Sequence, residues 1–284
     1  MAFLGDRVRD GWGQQAAFEE LSSSPASMEA SKWCDFYGLL PGHILQGADG
    51  EQAYTQATLK GEKQTWIRLP KHRWPQSWID KGLKDPVVPL IQALYGHPDA
   101  GGHWERHCDE LVKSVGFSPL GDCCEWRSVY FHHELKCMLS IYVDDFKMAG
   151  PKENVAIAWQ KLSSSGLKLS APGAVDQYLG CRHHEKSIEV PEYDDPVESG
   201  LQPDTAATKK RTVRYLEYDM EEFLESCCTR YEELCKTKVK WRTVATPFLD
   251  EGSDADPSRD PVCGGQGSSV HFAMASTPRI RSKK

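Results

Sequence analysis

The sequence predicts an α+β fold, because helical patterns and short strand-like runs are interspersed along it without strict alternation. Apolar runs of strand length follow one another closely at 127–132, 137–143 and 146–149. Amphipathic helical patterns cover 100–115 and the residues around 155–162. Strands this close in sequence are expected to lie side by side as antiparallel neighbours. We therefore expect an antiparallel sheet packed on helices.

The first predicted element is a helix over 25–37. Ser24 stands at the capping position and Pro25 at the first helical position, where its fixed backbone angle suits a helix. Gly38 follows where the chain would need a left-handed stop. These three residues define both expected ends of the helix.

Two short strands and a long helix are predicted next. The strands fall at 43–49 and 64–69, where apolar and β-favouring residues lie between glycine-bearing turns. The helix over 100–115 has one apolar face, formed by Trp104, Cys108, Leu111, Val112 and Val115. Charged residues occupy its remaining face, so it should lie on a core.

A second amphipathic helix has its apolar positions at Val155, Trp159 and Leu162. It should end near Gly166, and strand candidates follow at 167–169 and 177–182. From 185 to 214 the sequence is charged and contains prolines, so we expect a linker there.

A last helix is predicted beyond the linker, over 216–234. Its apolar face consists of Leu216, Met220, Phe223, Leu224, Cys227, Tyr231 and Leu234. After Leu249 the composition is dominated by Gly, Ser, Asp and Pro, so no fixed structure is expected. The predicted organisation is a main region of 1–184, a linker of 185–214, a helical extension of 215–249 and a disordered tail of 250–284.

Composition excludes several classes of protein. The chain has 284 residues, 39% of them hydrophobic, enough for a sizeable core. No run of 18 apolar residues occurs and the start lacks a secretory signal, so we expect neither a membrane span nor a secreted precursor. The 10 cysteines are scattered without any CxxC, which favours an intracellular, reducing location of unspecified compartment. A net charge of −7 argues against indiscriminate coating of nucleic acid.

Asp144 and Asp145 stand together at the end of an apolar strand and are followed at once by another apolar run. Two carboxylates about 4 Å apart repel by roughly 1 kcal/mol in water and about 4 kcal/mol at an effective dielectric of 20. A divalent cation removes this repulsion, and two such ions stabilise the attacking and leaving oxygens of an in-line displacement. The alternative without a functional role is an ordinary hairpin turn, in which Asp side chains cap backbone amides.

The stretch Tyr142-Val143-Asp144-Asp145 at a β-turn resembles the palm of reverse transcriptases, and within them the copia-type retrotransposon polymerases. Further segments that match this family, in the same order, are 49–54, the Leu-Tyr-Gly segment with its later tryptophan at 94–104, Tyr178-Leu179-Gly180, and Ala245-Thr246-Pro247. This chain has Gly101-Gly102-His103 before Trp104, whereas the family usually has Pro-Arg-Ala before the corresponding tryptophan. The resemblance implies a palm with partial fingers within 1–184 and a possible thumb start within 215–249, as in a truncated piece of a polyprotein.

By this resemblance, Asp49 and Asp144 are expected to be the catalytic ligands of two Mg²⁺ ions, for which Mn²⁺ is a possible substitute. Asp145 would be the supporting carboxylate, and the backbone carbonyl of Gly50 would assist. Tyr54 falls where the family keeps an aromatic ring against the sugar of the incoming nucleotide, which makes it the candidate steric gate. The other expected nucleotide-binding residues are Tyr95, Gly96, Tyr142 and Arg7.

The segment 60–84 is locally basic and contains Trp66, Trp74 and Trp78. Cationic side chains neutralise phosphates, and aromatic faces stack on bases. We therefore expect a nucleic-acid-binding role for Lys60, Lys63, Arg68, Lys71 and Arg73. The alternative is a solvated loop whose tryptophans close the core.

The function implied by the resemblance is RNA-directed DNA synthesis, with an RNA template, a DNA primer and deoxynucleoside triphosphates as partners and no membrane. The oligomeric state stays open. One alternative is a non-catalytic palm remnant that binds nucleic acid or a partner protein. Another is an unrelated metal-dependent hydrolase that uses the same acids, although it leaves Tyr54 and the Leu-Tyr-Gly segment unexplained.

Overall fold

The computed structural model of the chain confirms the α+β class. It describes residues 8–10, 12–14, 24–59, 64–120, 126–192, 209–236, 238–239, 241–244 and 273–275. The chain divides into two compact units, Met1–Asp219 and Met220–Lys284. Among the described residues, no helix combines the length and the apolar character needed to cross a membrane.

The first unit is built on a six-stranded antiparallel sheet. In chain order its strands are β1 (His43–Asp49), β4 (Ser118–Pro119), β5 (Val129–His132), β6 (Cys137–Tyr142), β7 (Asp145–Pro151) and β8 (Gly173–Ala174). Their order across the sheet is β4-β5-β6-β7-β1-β8, and all neighbours are antiparallel. A separate hairpin pairs β2 (Trp66–Arg68) with β3 (Val87–Pro89). The strands predicted at 43–49, 127–132, 137–143 and 146–149 are therefore confirmed, with shifts of one or two residues at some ends.

Helices pack on both faces of the main sheet. They are α1 (Met28–Leu39), α2 (Ala53–Gln56), α4 (Ala100–Ser114) and α5 (Lys152–Ser164). The short α3 (Gln76–Asp80) has no buried residue. Successive residues of a strand point to opposite faces, and Met148 and Ala149 on β7 accordingly belong to two different core clusters. The larger cluster includes Trp104 from α4 and Trp159 from α5, and the smaller one includes Cys34 from α1. The predicted helices at 100–115 and around 155–162 are confirmed.

The first helix begins three residues later than the sequence predicts. Ser27 is its N-cap, and the Ser27 hydroxyl accepts a hydrogen bond from the amide of Ala30. The residues expected to start the helix make contacts elsewhere. The Ala26 amide donates to the carbonyl of Ile141 at 3.0 Å, and the Ser24 carbonyl accepts from the Ser128 hydroxyl at 2.8 Å. Tertiary contacts therefore hold this segment extended.

Gly38 does not stop the first helix, contrary to the sequence prediction. The helix runs through it to Leu39, and the left-handed angle appears later, at Gly42 with φ +77°. A Cβ atom on Gly38 would lie 2.9 Å from the Cβ of Leu45 on β1. Glycine is therefore required here because α1 approaches the sheet closely.

The described parts of the segment 185–214, which the sequence predicts to be a linker, instead belong to a long two-stranded ribbon. Strand β10 (Cys181–Glu192) pairs antiparallel with β11 (Lys209–Asp219), and β10 also pairs with the short β9 (Gln177–Tyr178). Cross-strand ion pairs join Lys186 to Glu217 at 2.8 Å and Arg214 to Glu185 at 2.7 Å. An exposed ribbon needs few apolar residues, so its composition resembles that of a linker. The predicted domain boundaries stay predictions.

The second unit contains α6 (Glu221–Cys235), and a parallel pair formed by β12 (Arg242–Val244) and β13 (Ala273–Ala275). The predicted helix over 216–234 begins later than expected because Leu216 belongs to β11, opposite Glu185. No residue of α6 is buried. Apart from Ala273–Ala275, the tail predicted over 250–284 lies outside the described residues, as does the segment 245–247.

Candidate functional site

The sheet topology places the three predicted catalytic carboxylates at one end of the sheet. Asp49 is the last residue of β1 and lies directly opposite Asp145, the first residue of β7. Tyr142, the last residue of β6, also pairs with Asp145, so Val143 and Asp144 form the two-residue turn between β6 and β7. Because β7 lies between β6 and β1, Asp49 lies beside Asp145, and the turn that carries Asp144 stands at the same end of the sheet.

The end of β1 is fixed on both sides. On one side the amide of Gly50 donates to the carbonyl of Asp144 at 2.6 Å. On the other side the amide of Asp49 donates to the Ser170 hydroxyl, and the amide of Ser170 donates to the Asp49 carbonyl, both at 2.8 Å. A Cβ atom on Gly50 would lie 3.3 Å from the Asp144 carbonyl oxygen, so a larger residue would crowd this contact.

The turn that carries Asp144 contains a strained residue. Val143 has φ +57°, whereas the φ of Asp144 is not positive. A turn with a positive φ only at its first central residue normally uses glycine there, and a β-branched side chain is a conformational outlier. The buried indole of Trp104 donates from Nε1 to the Val143 carbonyl at 2.6 Å. The turn is therefore held in a conformation that valine does not favour.

The carboxylates interact electrostatically. Burial and the charges of Asp144 and Asp49 raise the pKa of Asp145 to about 6. Among the described residues, neither Asp144 nor Asp145 accepts a hydrogen bond through its carboxylate, which argues against a simple amide-capping turn. Clustered carboxylates with uncompensated repulsion are the oxygen donors that Mg²⁺ binds.

The donor chemistry therefore fits a divalent cation, but the side chains are not arranged around one point. Within the described part of the chain, no three His, Cys, Asp or Glu side chains form a group that could hold a metal ion as they stand. The carboxylates of Asp49, Asp144 and Asp145 would have to turn toward a shared ion.

Two tyrosines lie next to the turn. The rings of Tyr54, on α2, and Tyr95 are 4.5 Å apart between centroids and tilted by 41°. Burial and then the charge of Asp144 raise the pKa of both phenols, so both rings lie near this carboxylate. Gly96 follows with φ +90°, and Tyr142 is half-buried at the base of the turn. The structure thus places Tyr54 and Tyr95 beside Asp144.

The basic segment is exposed. Arg68 forms an exposed ion pair with Asp85 at 3.0 Å, and Lys71 and Arg73 lie in a 3₁₀ turn without buried residues. Trp66 is 58% exposed, which contradicts the alternative that all three tryptophans close the core. Lys60, Lys63 and Arg7 lie outside the described residues.

The structure contains a buried ion pair near the site that the sequence did not predict. Lys147 on β7 is fully buried, and its Nζ lies 2.7 Å from a carboxylate oxygen of Asp35 on α1. Asp35 also accepts from the Tyr218 hydroxyl at 2.8 Å and faces His183 at 3.6 Å. Burial opposes ionisation of Asp35, but these partners outweigh it and lower the pKa of the carboxyl. The only local signal is a lysine inside the apolar run 146–149.

Comparisons with known proteins give partial similarities. No protein-family model matches the chain. A transposon Ty5-1 protein of Saccharomyces cerevisiae is 24% identical over 118 residues, or 40% of this chain and 36% of that protein. The match thus spans about a third of that relative's length. A structure of telomerase from Candida albicans, in complex with a fragment of telomeric RNA, matches 58% of this chain and 35% of its own at 13% identity. Its TM-score of 0.29 is too low to support an inference about fold or function.

Replacing Val143 with glycine should stabilise the protein. A left-handed angle costs an ordinary residue about 1–2 kcal/mol, and the extra flexibility of glycine costs roughly 0.5–1 kcal/mol. We expect a net gain of about 0.5–1 kcal/mol in the free energy of unfolding, measured with urea. Val213→Gly, a half-buried valine on β11 without a positive φ, is the control and should destabilise. A loss of stability in Val143→Gly would contradict the inference that the backbone of Val143 is strained.

Asp145→Asn should stabilise the protein at neutral pH but not at pH 4. The folded-state pKa is about 6, against about 3.9 in an unfolded chain, so ionisation favours the unfolded state as the pH rises between these values. Because solvent screens this partly exposed group, we expect its ionisation to reduce the free energy of unfolding by only roughly 1 kcal/mol above pH 6. Urea unfolding at pH 4 and 7.5 measures the difference. Glu134→Gln, an exposed acid in the turn after β5, is the control, and an equal response would contradict the assignment.

Proposed function

We propose that this chain is the palm and partial fingers of an RNA-directed DNA polymerase of a copia-type retrotransposon. The observation that carries the proposal is the meeting of Asp49 with Asp144 and Asp145 at one sheet end, beside the paired rings of Tyr54 and Tyr95. The partial similarity to a transposon protein supports it. A metal-dependent hydrolase using the same acids would leave the two tyrosines without a role.

Asp49 and Asp144 are the proposed ligands of two Mg²⁺ ions, with Asp145 and the Gly50 carbonyl in support and Mn²⁺ as a possible substitute. The ions would supply charge neutralisation to a primer 3′-hydroxyl attacking the α-phosphate of a deoxynucleoside triphosphate, with pyrophosphate leaving. The protein's own contribution is then positioning and a fixed electrostatic environment, since nucleotidyl transfer requires no side-chain nucleophile.

Tyr54 is the proposed steric gate against a ribose 2′-hydroxyl. Its ring is partly buried and lies against Tyr95, so it cannot move freely away from a bulkier sugar. Tyr95, Gly96 and Tyr142 complete the proposed nucleotide pocket, together with Arg7. A tightly packed ring can reject an added hydroxyl group by volume alone.

The exposed Arg68, Lys71 and Arg73, with Trp66, form the described part of the proposed nucleic-acid-binding surface, to which Lys60 and Lys63 would add. Exposed cations lose little hydration before they meet phosphates, and their binding should weaken with salt. An RNA template paired with a DNA primer would be recognised by shape and backbone contacts instead of base readout.

A second candidate is a non-catalytic palm remnant that binds nucleic acid or a partner protein. The observation favouring it is that, in the part of the chain that the structure describes, the carboxylates do not form a ready metal-binding group. The two candidates differ in turnover, which makes primer extension the deciding experiment.

In primer extension on an RNA template with Mg²⁺ and deoxynucleotides, we expect the unmodified chain to extend and Asp144→Asn to lose activity by at least about 100-fold. Glu134→Gln is the matched control and should extend normally. Filter binding of the same RNA–DNA hybrid is measured in parallel. Salt-dependent binding without extension by any form would overturn the polymerase and support the remnant.

Replacing Tyr54 by alanine should raise ribonucleotide incorporation relative to deoxynucleotide incorporation by about tenfold or more, because the bulk facing the sugar is removed. Tyr54→Phe keeps the ring and should keep the discrimination. The ratio of the two incorporation efficiencies is the measurement. An unchanged ratio in Tyr54→Ala would show that another group excludes the 2′-hydroxyl.

A further inference from the structure

The indole N–H of Trp104 makes a contact that core packing does not require. Trp104 lies on α4, is only 2% exposed and belongs to the larger core cluster. Its Nε1 donates to the carbonyl of Val143, the strained residue of the β6–β7 turn, at 2.6 Å. A helix of the core therefore bonds directly to the tip of a surface hairpin.

In the described part of the chain, this bond and one other hold the peptide planes on either side of Asp144 from outside its own hairpin. The Val143 carbonyl belongs to the peptide plane before the Asp144 Cα, and the Asp144 carbonyl belongs to the plane after it. Trp104 holds the first plane, and the amide of Gly50 holds the second, each at 2.6 Å. The two planes define the direction of the Cα–Cβ bond. They therefore determine the direction in which the Asp144 side chain leaves the backbone.

A second buried tryptophan shows that the indole bulk and the hydrogen bond are separable. Trp159 on α5 lies in the same core cluster and is 3% exposed. Among the residues that the structure describes, its buried Nε1 has no hydrogen-bond partner. Replacing either indole with a phenyl ring removes similar volume from one core, but only the change at Trp104 removes a bond to the turn.

We propose that Trp104 is a positioning residue, whose indole N–H holds the strained Val143 turn and thereby places the Asp144 carboxylate for metal binding. The inference that Trp104 holds the turn depends only on the observed hydrogen bonds. The link to metal binding rests on the proposed function. Trp104 has no contact with the reacting atoms in this assignment. Its effect passes entirely through the backbone of the turn.

The test compares Trp104→Phe with Trp159→Phe in the full chain. Hydrogen exchange of the backbone amides of 142–147 reports on the turn, and the Mg²⁺ concentration giving half-maximal primer extension reports on the carboxylates. For Trp104→Phe we expect exchange faster by about tenfold, a similar rise in the Mg²⁺ requirement, and an extension rate at saturating Mg²⁺ within about twofold of the unmodified chain. Trp159→Phe should change none of these.

A rescue variant separates a specific role from general loosening. In Trp104→Phe/Val143→Gly the turn no longer contains a strained valine, so slow exchange should return. Equal acceleration of exchange in Trp104→Phe and Trp159→Phe, or no rescue by glycine, would overturn the proposal.

The metal readout has its own outcomes. Faster exchange in Trp104→Phe with an unchanged Mg²⁺ requirement would overturn the link from the turn to the carboxylates. If the unmodified chain neither extends primers nor binds Mn²⁺, the proposed function fails and the link to metal fails with it. The exchange comparison then still decides whether Trp104 holds the turn.

Discussion

The register of β1 against β7 is the constraint on which the site depends. Seven residue pairs run from His43 opposite Pro151 to Asp49 opposite Asp145. Side chains alternate between the two faces of a strand, so a slip of one residue would move Asp49 to the other face and separate it from the turn. Both faces of the sheet are covered by helices, so such a slip would also expose or misplace core residues on both sides. The packing that stabilises the sheet therefore also aligns the carboxylates.

The buried Lys147–Asp35 pair reinforces this register. Lys147 lies two residues after Asp145 and on the same face of β7, toward α1. A buried charge is tolerated only where it is paired, and loss of one partner typically costs about 3–5 kcal/mol. A one-residue slip would place the Lys147 ammonium in the apolar cluster around Phe146 and Met148. The ion pair thus penalises the alternative register, and through Tyr218 it also ties the β10–β11 ribbon to the sheet.

The sequence predicted those features that depend on local pattern. Strand β1 and helix α4 were placed almost to the residue, because β-favouring residues between glycine-bearing turns and an apolar period of 3.6 are both visible in a short window. The role of Gly38 was mispredicted because glycine is required there by close contact with Leu45, which lies on another element. The ribbon was missed because charged residues can fill strands that bury little. For the site, the acidic turn was evident, whereas Asp49 came from resemblance, and the bond from Trp104 to Val143 has no local signal.

Departures from local rules converge on the β6–β7 turn. Val143 occupies an angle that favours glycine, Asp145 is held beside two like charges, and two short hydrogen bonds, from Trp104 and Gly50, hold the backbone between them. An ordinary hairpin would relieve all of this with glycine at the first position and an Asp side chain bonded to an amide. Strain and repulsion persist only where the surrounding structure over-determines them, and they cluster at functional sites. The surrounding core thus stabilises one unfavourable turn, and the group whose binding would relieve its carboxylate repulsion is a cation.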